Sequence, residues 1–199
     1  AAQAAQVESF KETMAGIDPS IALLCLCGNH DLGNLPNKAT VDLFTSRFGS
    51  DYFAFWAGGC RCLVLNSSLH ATNLWDQIAE QAAANDGSPT DVLGSDGGPY
   101  TAESVAVDVG EAAAMAEEQE AWLDRELAAL AESQPAHSLV FTHIPPFCDD
   151  EQEPDAYHCY PLATRTRTLA KVKDAGVSKW FSGHCKRLTP TPGPAAAAA

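Results

Sequence analysis

Positive charge is what this chain has least of: its 199 residues include 12 Lys and Arg against 26 Asp and Glu, for a formal charge of -14. Such a surplus repels a polyanion, so no nucleic acid is expected among the partners. Long apolar runs are also missing; none approaches the roughly 20 residues that a membrane-spanning helix needs. The Ala/Gln-rich start has neither a basic n-region nor an apolar h-region. No internal repeat is detectable. The composition, 46% hydrophobic and 19% charged, suits one globular α/β domain that is soluble and cytoplasmic, with no membrane partner.

Cysteine is present in an odd number, seven. Cys25/Cys27 and Cys60/Cys62 lie in apolar segments, and period-2 spacing sets each pair on one face of a strand, where a free thiol packs as a small hydrophobe. This points to a reducing compartment. Convergence of the same four residues on a zinc ion is the competing reading, although Cys-x-Cys is tighter than the usual Cys-x2-4-Cys.

The acidic surplus is concentrated. From Asp76 to Asp155 there are 19 acidic residues and one base, Arg125. Within it, Asn85 to Gly98 (NDGSPTDVLGSDGG) has no hydrophobic periodicity and reads as a surface excursion, part of an acidic insertion at about 71–110. The domain is expected over residues 7–187, with a Pro/Ala-rich tail at 188–199.

Periodicity places the remaining elements. Val7–Gly16 is mildly helical, and Ile21–Cys27 is a short continuous apolar run that reads as a buried parallel strand. Thr40–Phe48 suits a short helix. Tyr52–Trp56, the Gly58-Gly59 turn and Arg61–Asn66 read as a hairpin. Glu111–Leu130 is helical, with Trp122, Leu123, Leu127 and Leu130 on one stripe. Ser138–Phe141 and Ser178–Ser182 are strands around a basic helix, Ala163–Ala175. Three strands thus end in loops that carry His30, His143 and His184, and ligands bind at C-terminal strand ends in open α/β sheets.

The GNHD run at Gly28–Asp31 has chemical content. A carboxamide oxygen is a neutral metal ligand, a neighbouring imidazole can protonate a leaving oxygen, and a following carboxylate can orient that imidazole. GNHDLGN is followed by FGSDYFAFWAGG, LVLNS, THIPPF and AGVSKWFSGH, all in this order. The series resembles the calcineurin-like metallophosphoesterase superfamily, and within it the calcineurin-like phosphoesterase domain-containing phosphatases. The resemblance covers about Asp18 to Arg187 and implies an αββα sandwich, here incomplete at both ends.

The resemblance further implies that Asn29, His143 and His184 ligate one metal of a dinuclear centre. It makes His30 the proton donor or transition-state stabiliser, held by Asp31. The cofactors it implies are divalent ions, Mn, Fe or Zn, and the substrate a phosphate ester, possibly phosphoserine or phosphothreonine on a protein. The family's Asp-x-His and Gly-Asp-x-x-Asp motifs, which hold the other metal, have no counterpart upstream of Gly28. Its Gly-His-x-His is here Gly183-His184-Cys185-Lys186, and an ammonium cannot ligate a cation. Three neutral donors without a carboxylate are expected to retain at most one ion, with Cys185 as a conceivable thiolate supplement. Lys186 and Arg187 are expected to bind substrate phosphate.

Among the other residues, His70, His137 and His158 read as surface or loop histidines, and Tyr157–Tyr160 as a rim over the site. Asp149, Asp150 and Glu151 read as a solvated loop. Arg165, Arg167, Lys171, Lys173 and Lys179 read as a solvated basic face. A second function stands beside the phosphoesterase: a catalytically degenerate family member acting as a docking subunit, whose partner covers the incomplete sheet.

Overall fold

The alternating apolar residues after Asp51 form the expected hairpin. In the computed structural model, which describes residues 2–84 and 102–185, it consists of β1 (Phe53–Ala57) and antiparallel β2 (Cys60–Val64). The turn uses Gly58 and Gly59, at φ 56° and 80°, where a side chain would be strained. β3 (His137–Thr142) and β4 (Lys179–Ser182) add in parallel, giving a mixed sheet ordered β1-β2-β3-β4.

Register decides which face is covered. Leu63 stands opposite Ala54 and Val140, and Val140 opposite Trp180. This row packs under α5 (Ala102–Ser133), through Leu123, Leu127 and Leu130, and under α6 (Leu162–Asp174), through Leu169 and Val172. The stripe read from the sequence is thus the core contact. The alternate row, Phe53, Val64, Phe141 and Phe181, points the other way. Phe141 and Phe181 stack there at 5.3 Å, with Phe181 half exposed. The fold class is mixed α/β, in keeping with a metallophosphoesterase-type sandwich; the described residues form one sheet with helices over one face.

Two stretches differ from expectation. The acid-rich region at about 71–110 contains α4 (Thr72–Ala84), whose Leu74, Trp75, Ile78 and Ala82 are buried against Val105 and Ala112 of α5. Their helical spacing was masked by acidic neighbours, and α5 begins at Ala102, nine residues before the expected start at Glu111. Asn85–Gly98 lies outside the described residues, as does the 188–199 tail.

The second is Ile21–Cys27, which is not a strand. It has no regular secondary structure, with Ile21 61% and Leu23 and Leu24 49% exposed, and only Cys27 fully buried. A strand needs a neighbour's backbone to complete its ladder, and the four strands described pair only with one another. The segment instead lies along α1 (Ala2–Met14) and α3 (Lys38–Phe48), bounding an apolar groove of about 540 Å³ with Phe10, Met14 and Phe48. Asn37 starts α3 by accepting from the Thr40 N–H at 3.0 Å.

Candidate functional site

His143 leaves β3 one residue after its end, and His184 leaves β4 two residues after its end. The parallel ladder continues one step, with Gly183 N–H donating to His143 O at 3.0 Å, so the two loops stay in register. A tight turn follows, centred on His184 at φ 60°, a left-handed conformation that costs a non-glycine residue about 1 kcal/mol. It swings the His184 ring edge-on to His143, with centroids 4.9 Å apart. The hydroxyl of Ser67, after β2, accepts from Ile144 N–H at 2.8 Å and pins the His143 loop.

Asn29 arrives from the opposite side, on the four-residue helix α2 (Asn29–Leu32). Asp31 Oδ2 accepts from Gly28 N–H at 2.9 Å, closing the first turn. Gly28 has to be small: a Cβ there would lie 3.0 Å from His143 Cδ2. Asn29 is buried, and its Nδ2 donates to Asn34 Oδ1 at 2.9 Å and to the Tyr157 hydroxyl at 3.1 Å. Its Oδ1 is thereby turned to His143 Nε2, 3.1 Å away, and His143 Nε2 is 3.1 Å from His184 Nδ1.

Asn29, His143 and His184 therefore come together. With both amide hydrogens of Asn29 used elsewhere, a single hydrogen on His143 Nε2 would have to be shared between Asn29 Oδ1 and His184 Nδ1. A cation between them would satisfy all three: at bond lengths of about 2.1 Å, neighbouring ligand atoms stand roughly 3.0–3.4 Å apart. Burial, opposed by the Asp31 charge, lowers the His143 pKa. Burial and then His143 itself lower that of His184 to about 4. Both rings are neutral near pH 7, as ligation requires. His184 Nε2 is buried and has no hydrogen-bond partner among the described residues. Two imidazoles and a carboxamide fit one ion. Among the described residues no group of three or more His, Cys, Asp or Glu side chains is gathered to hold a metal.

His30 and Asp31 are exposed on α2. His30 lines a cleft of about 1030 Å³ together with His143, His184, Tyr157 and His158. Among the described residues the Asp31 carboxylate accepts from Gly28 N–H and makes no hydrogen bond to the His30 ring. Lys186 and Arg187 lie outside the described residues.

Cysteine chemistry departs from expectation. Cys148 and Cys185 form a disulfide between the loops after β3 and β4, which removes Cys185 as a thiolate ligand; the five other cysteines are free. Cys27 packs with Leu32, Val41 and Phe44, whereas Cys60 and Cys62 sit in β2, so the four do not converge.

His70 is not a surface residue. It is buried and stacked on Tyr160 at 5.1 Å, with Gln119 Nε2 3.0 Å from its Nε2, and burial lowers its pKa to about 4. The basic helix is not a solvated face throughout either. Arg165 is fully buried and donates to Glu153 O, and Lys171 sits 2.7 Å from both Glu120 and Asp124. His158 stands in the cleft, 5.7 Å from the His184 ring. Tyr157, read only as rim, touches Asn29 and lies 5.2 Å from His184. A Tyr-His pair after an acidic run is a weak signal, and no spacing rule connects it to GNHD.

No family model and no solved structure matches the chain. Curated proteins do. The chain is 34% identical over 182 residues to "Serine/threonine-protein phosphatase CPPED1" of Danio rerio and 31% identical over 183 residues to that of Homo sapiens. To that of Mus musculus it is 30% identical over 182 residues. Each match covers 92% of this chain and 47% of the relative, so the chain spans about half the length of the curated relatives it matches. Over that stretch, from GNHD through the His143 and His184 loops, the chain is similar to calcineurin-like phosphoesterases.

Proposed function

We propose that the chain serves metal-dependent hydrolysis of a phosphomonoester, with protein phosphoserine or phosphothreonine as the substrate class that the names of its relatives suggest. The observation that carries this reading is the convergence of Asn29 Oδ1, His143 Nε2 and His184 Nδ1 at 3.1 Å spacings on the wall of a cleft that also holds His30. These three residues would hold one divalent ion, Mn, Fe or Zn. When bound, the ion supplies charge that clamps phosphoryl oxygens and acidifies water.

The chain's own residues do the rest. His30, exposed in the cleft, delivers a proton to the leaving oxygen, and Asp31 fixes the helix turn that presents it. The loops after β3 and β4 hold the two neutral imidazoles in place. Lys186 and Arg187 are assigned to phosphate binding, and the proposed setting is the cytoplasm.

The test is elemental mass spectrometry on the chain dialysed against Mn²⁺, beside p-nitrophenyl phosphate hydrolysis. One bound ion per chain, lost in His143→Ala, with turnover falling about 100-fold or more in His30→Ala, is expected. Turnover indifferent to His30→Ala would overturn the reading.

A second reading has its own observation. The donor set holds no carboxylate, and Phe181, on the sheet face opposite α5 and α6, is half exposed. A non-catalytic subunit docked through that face follows from this, and an ion bound without turnover would favour it.

A further inference from the structure

We infer that Tyr157 is a positioning residue for the metal donors: its phenol oxygen, with Asn34, decides which end of the Asn29 carboxamide faces His143. The inference rests on the metal reading above. The two ends of a primary amide are nearly equal in size, so shape does not choose between them; hydrogen bonds do. Here both amide hydrogens are taken, by Asn34 Oδ1 at 2.9 Å and by the Tyr157 hydroxyl at 3.1 Å, which leaves Oδ1 on the side of His143. A flipped amide would set N–H groups against the imidazole and oxygen against Asn34 Oδ1. Asn29 is 1% exposed, so no open solvent takes over a lost bond.

Tyr157 also reaches a second donor. Its ring lies 5.2 Å from that of His184, tilted by 42°. One side chain thus bears on two donors 155 residues apart in sequence, Asn29 on α2 and His184 in the loop after β4. The Tyr157 loop is itself anchored. Asn73 of α4 donates to Ala156 O at 2.9 Å, and Arg165 of α6 donates to Glu153 O. Glu153 in turn accepts from the backbone of Cys148 at 2.8 Å and of Asp149 at 3.0 Å. The phenol is therefore held from α4, α6 and the β3 loop, and transmits that rigidity to Asn29.

Tyr157→Phe keeps the ring and removes only the oxygen. Mn²⁺ titration of the full chain by calorimetry, with the melting temperature of the metal-free protein measured alongside, is expected to show about tenfold weaker binding and a melting temperature lowered by only about 2–4 °C for the lost buried bond. In the Asn29→Asp background either end of the side chain is an oxygen, so Tyr157→Phe should there change affinity less than twofold, an interaction that a double-mutant cycle isolates. Equal affinity in wild type and Tyr157→Phe overturns the inference, as does an equal loss in both backgrounds. A wild-type chain that binds no Mn²⁺ overturns the metal reading itself, and the inference with it. A measurement that needs no variant at position 157 is the Asn29 carboxamide signal in ¹⁵N spectra of the metal-free chain. Two slowly exchanging protons are expected, and one that exchanges like a surface amide overturns the inference.

Discussion

The two sides of the donor trio are built in opposite ways. His143 and His184 come from adjacent parallel strands whose ladder runs on into their loops, above a core formed by Leu63, Val140 and two helices. Asn29 comes from one turn of helix at the end of an irregular segment whose leucines face outward. The first side is held by backbone pairing and buried apolar area. The second is held by a smaller apolar cluster, Cys27, Leu32, Val41 and Phe44, and by a few side-chain bonds, Asn34 and Tyr157 on the carboxamide and Asp31 on Gly28. One chemical centre thus joins a unit built on sheet pairing to one built on a smaller apolar cluster and side-chain bonds, and the trio marks the seam.

Stability measurements should separate the two sides most sharply. Leu63→Ala, in the buried row, is expected to cost about 3 kcal/mol in chemical denaturation, whereas Leu23→Ala in the outward segment should stay within about 0.5 kcal/mol. Similar losses from both would break the comparison.

Next in size is the covalent tie on the sheet side. Replacing Cys148 and Cys185 by Ser opens a link between residues 37 apart and should cost about 2–3 kcal/mol, measured against the oxidised wild type. An unchanged midpoint would show that the strand-end loops need no tie.

Smaller still is the effect at the seam. Gly28→Ala should cost about 1–2 kcal/mol and weaken Mn²⁺ binding, because its Cβ would press on the His143 ring at 3.0 Å. Gly183→Ala, whose Cβ would meet the same ring at an ordinary 3.5 Å, is expected to be nearly neutral. Equal costs would mean that the ring can yield on either side.

The gentlest probe is pH. Burial holds both His70 and His184 at about 4 in the folded chain, against an ordinary 6.5. Between those values the unfolded chain binds protons that the folded chain refuses. The stability contributed by the neutral rings is complete above about 6.5 and is lost as pH falls toward 4. For buried His70 the slope approaches about 1.4 kcal/mol per pH unit, and for partly buried His184 it is less. His70→Gln should flatten the slope; a slope unmoved by that change would remove His70 from the account.

What could be read from the sequence follows the same division. The hairpin, β3, β4, α3, α5 and α6 were legible because each carries its own period, and GNHD, THIPPF and FSGH marked the donors. Ile21–Cys27 misled because an apolar run announces a strand without saying whether a neighbour exists. Leu74, Trp75, Ile78 and Ala82 of α4 were concealed by acidic composition. Asn34 stood inside the GNHDLGN run without its role being marked; Tyr157 carries no pattern, since its role arises only when segments far apart in sequence meet, and the burial of Arg165 and His70 depends on partners contributed by other elements.

The bond between Cys148 and Cys185 encloses the acidic loop and the whole of α6. A protease that nicks the exposed stretch from Pro154 to Ala156 would therefore not separate the pieces. Both imidazole-bearing loops would travel as one species until a reductant is added, and a gel run with and without reductant would read the linkage directly.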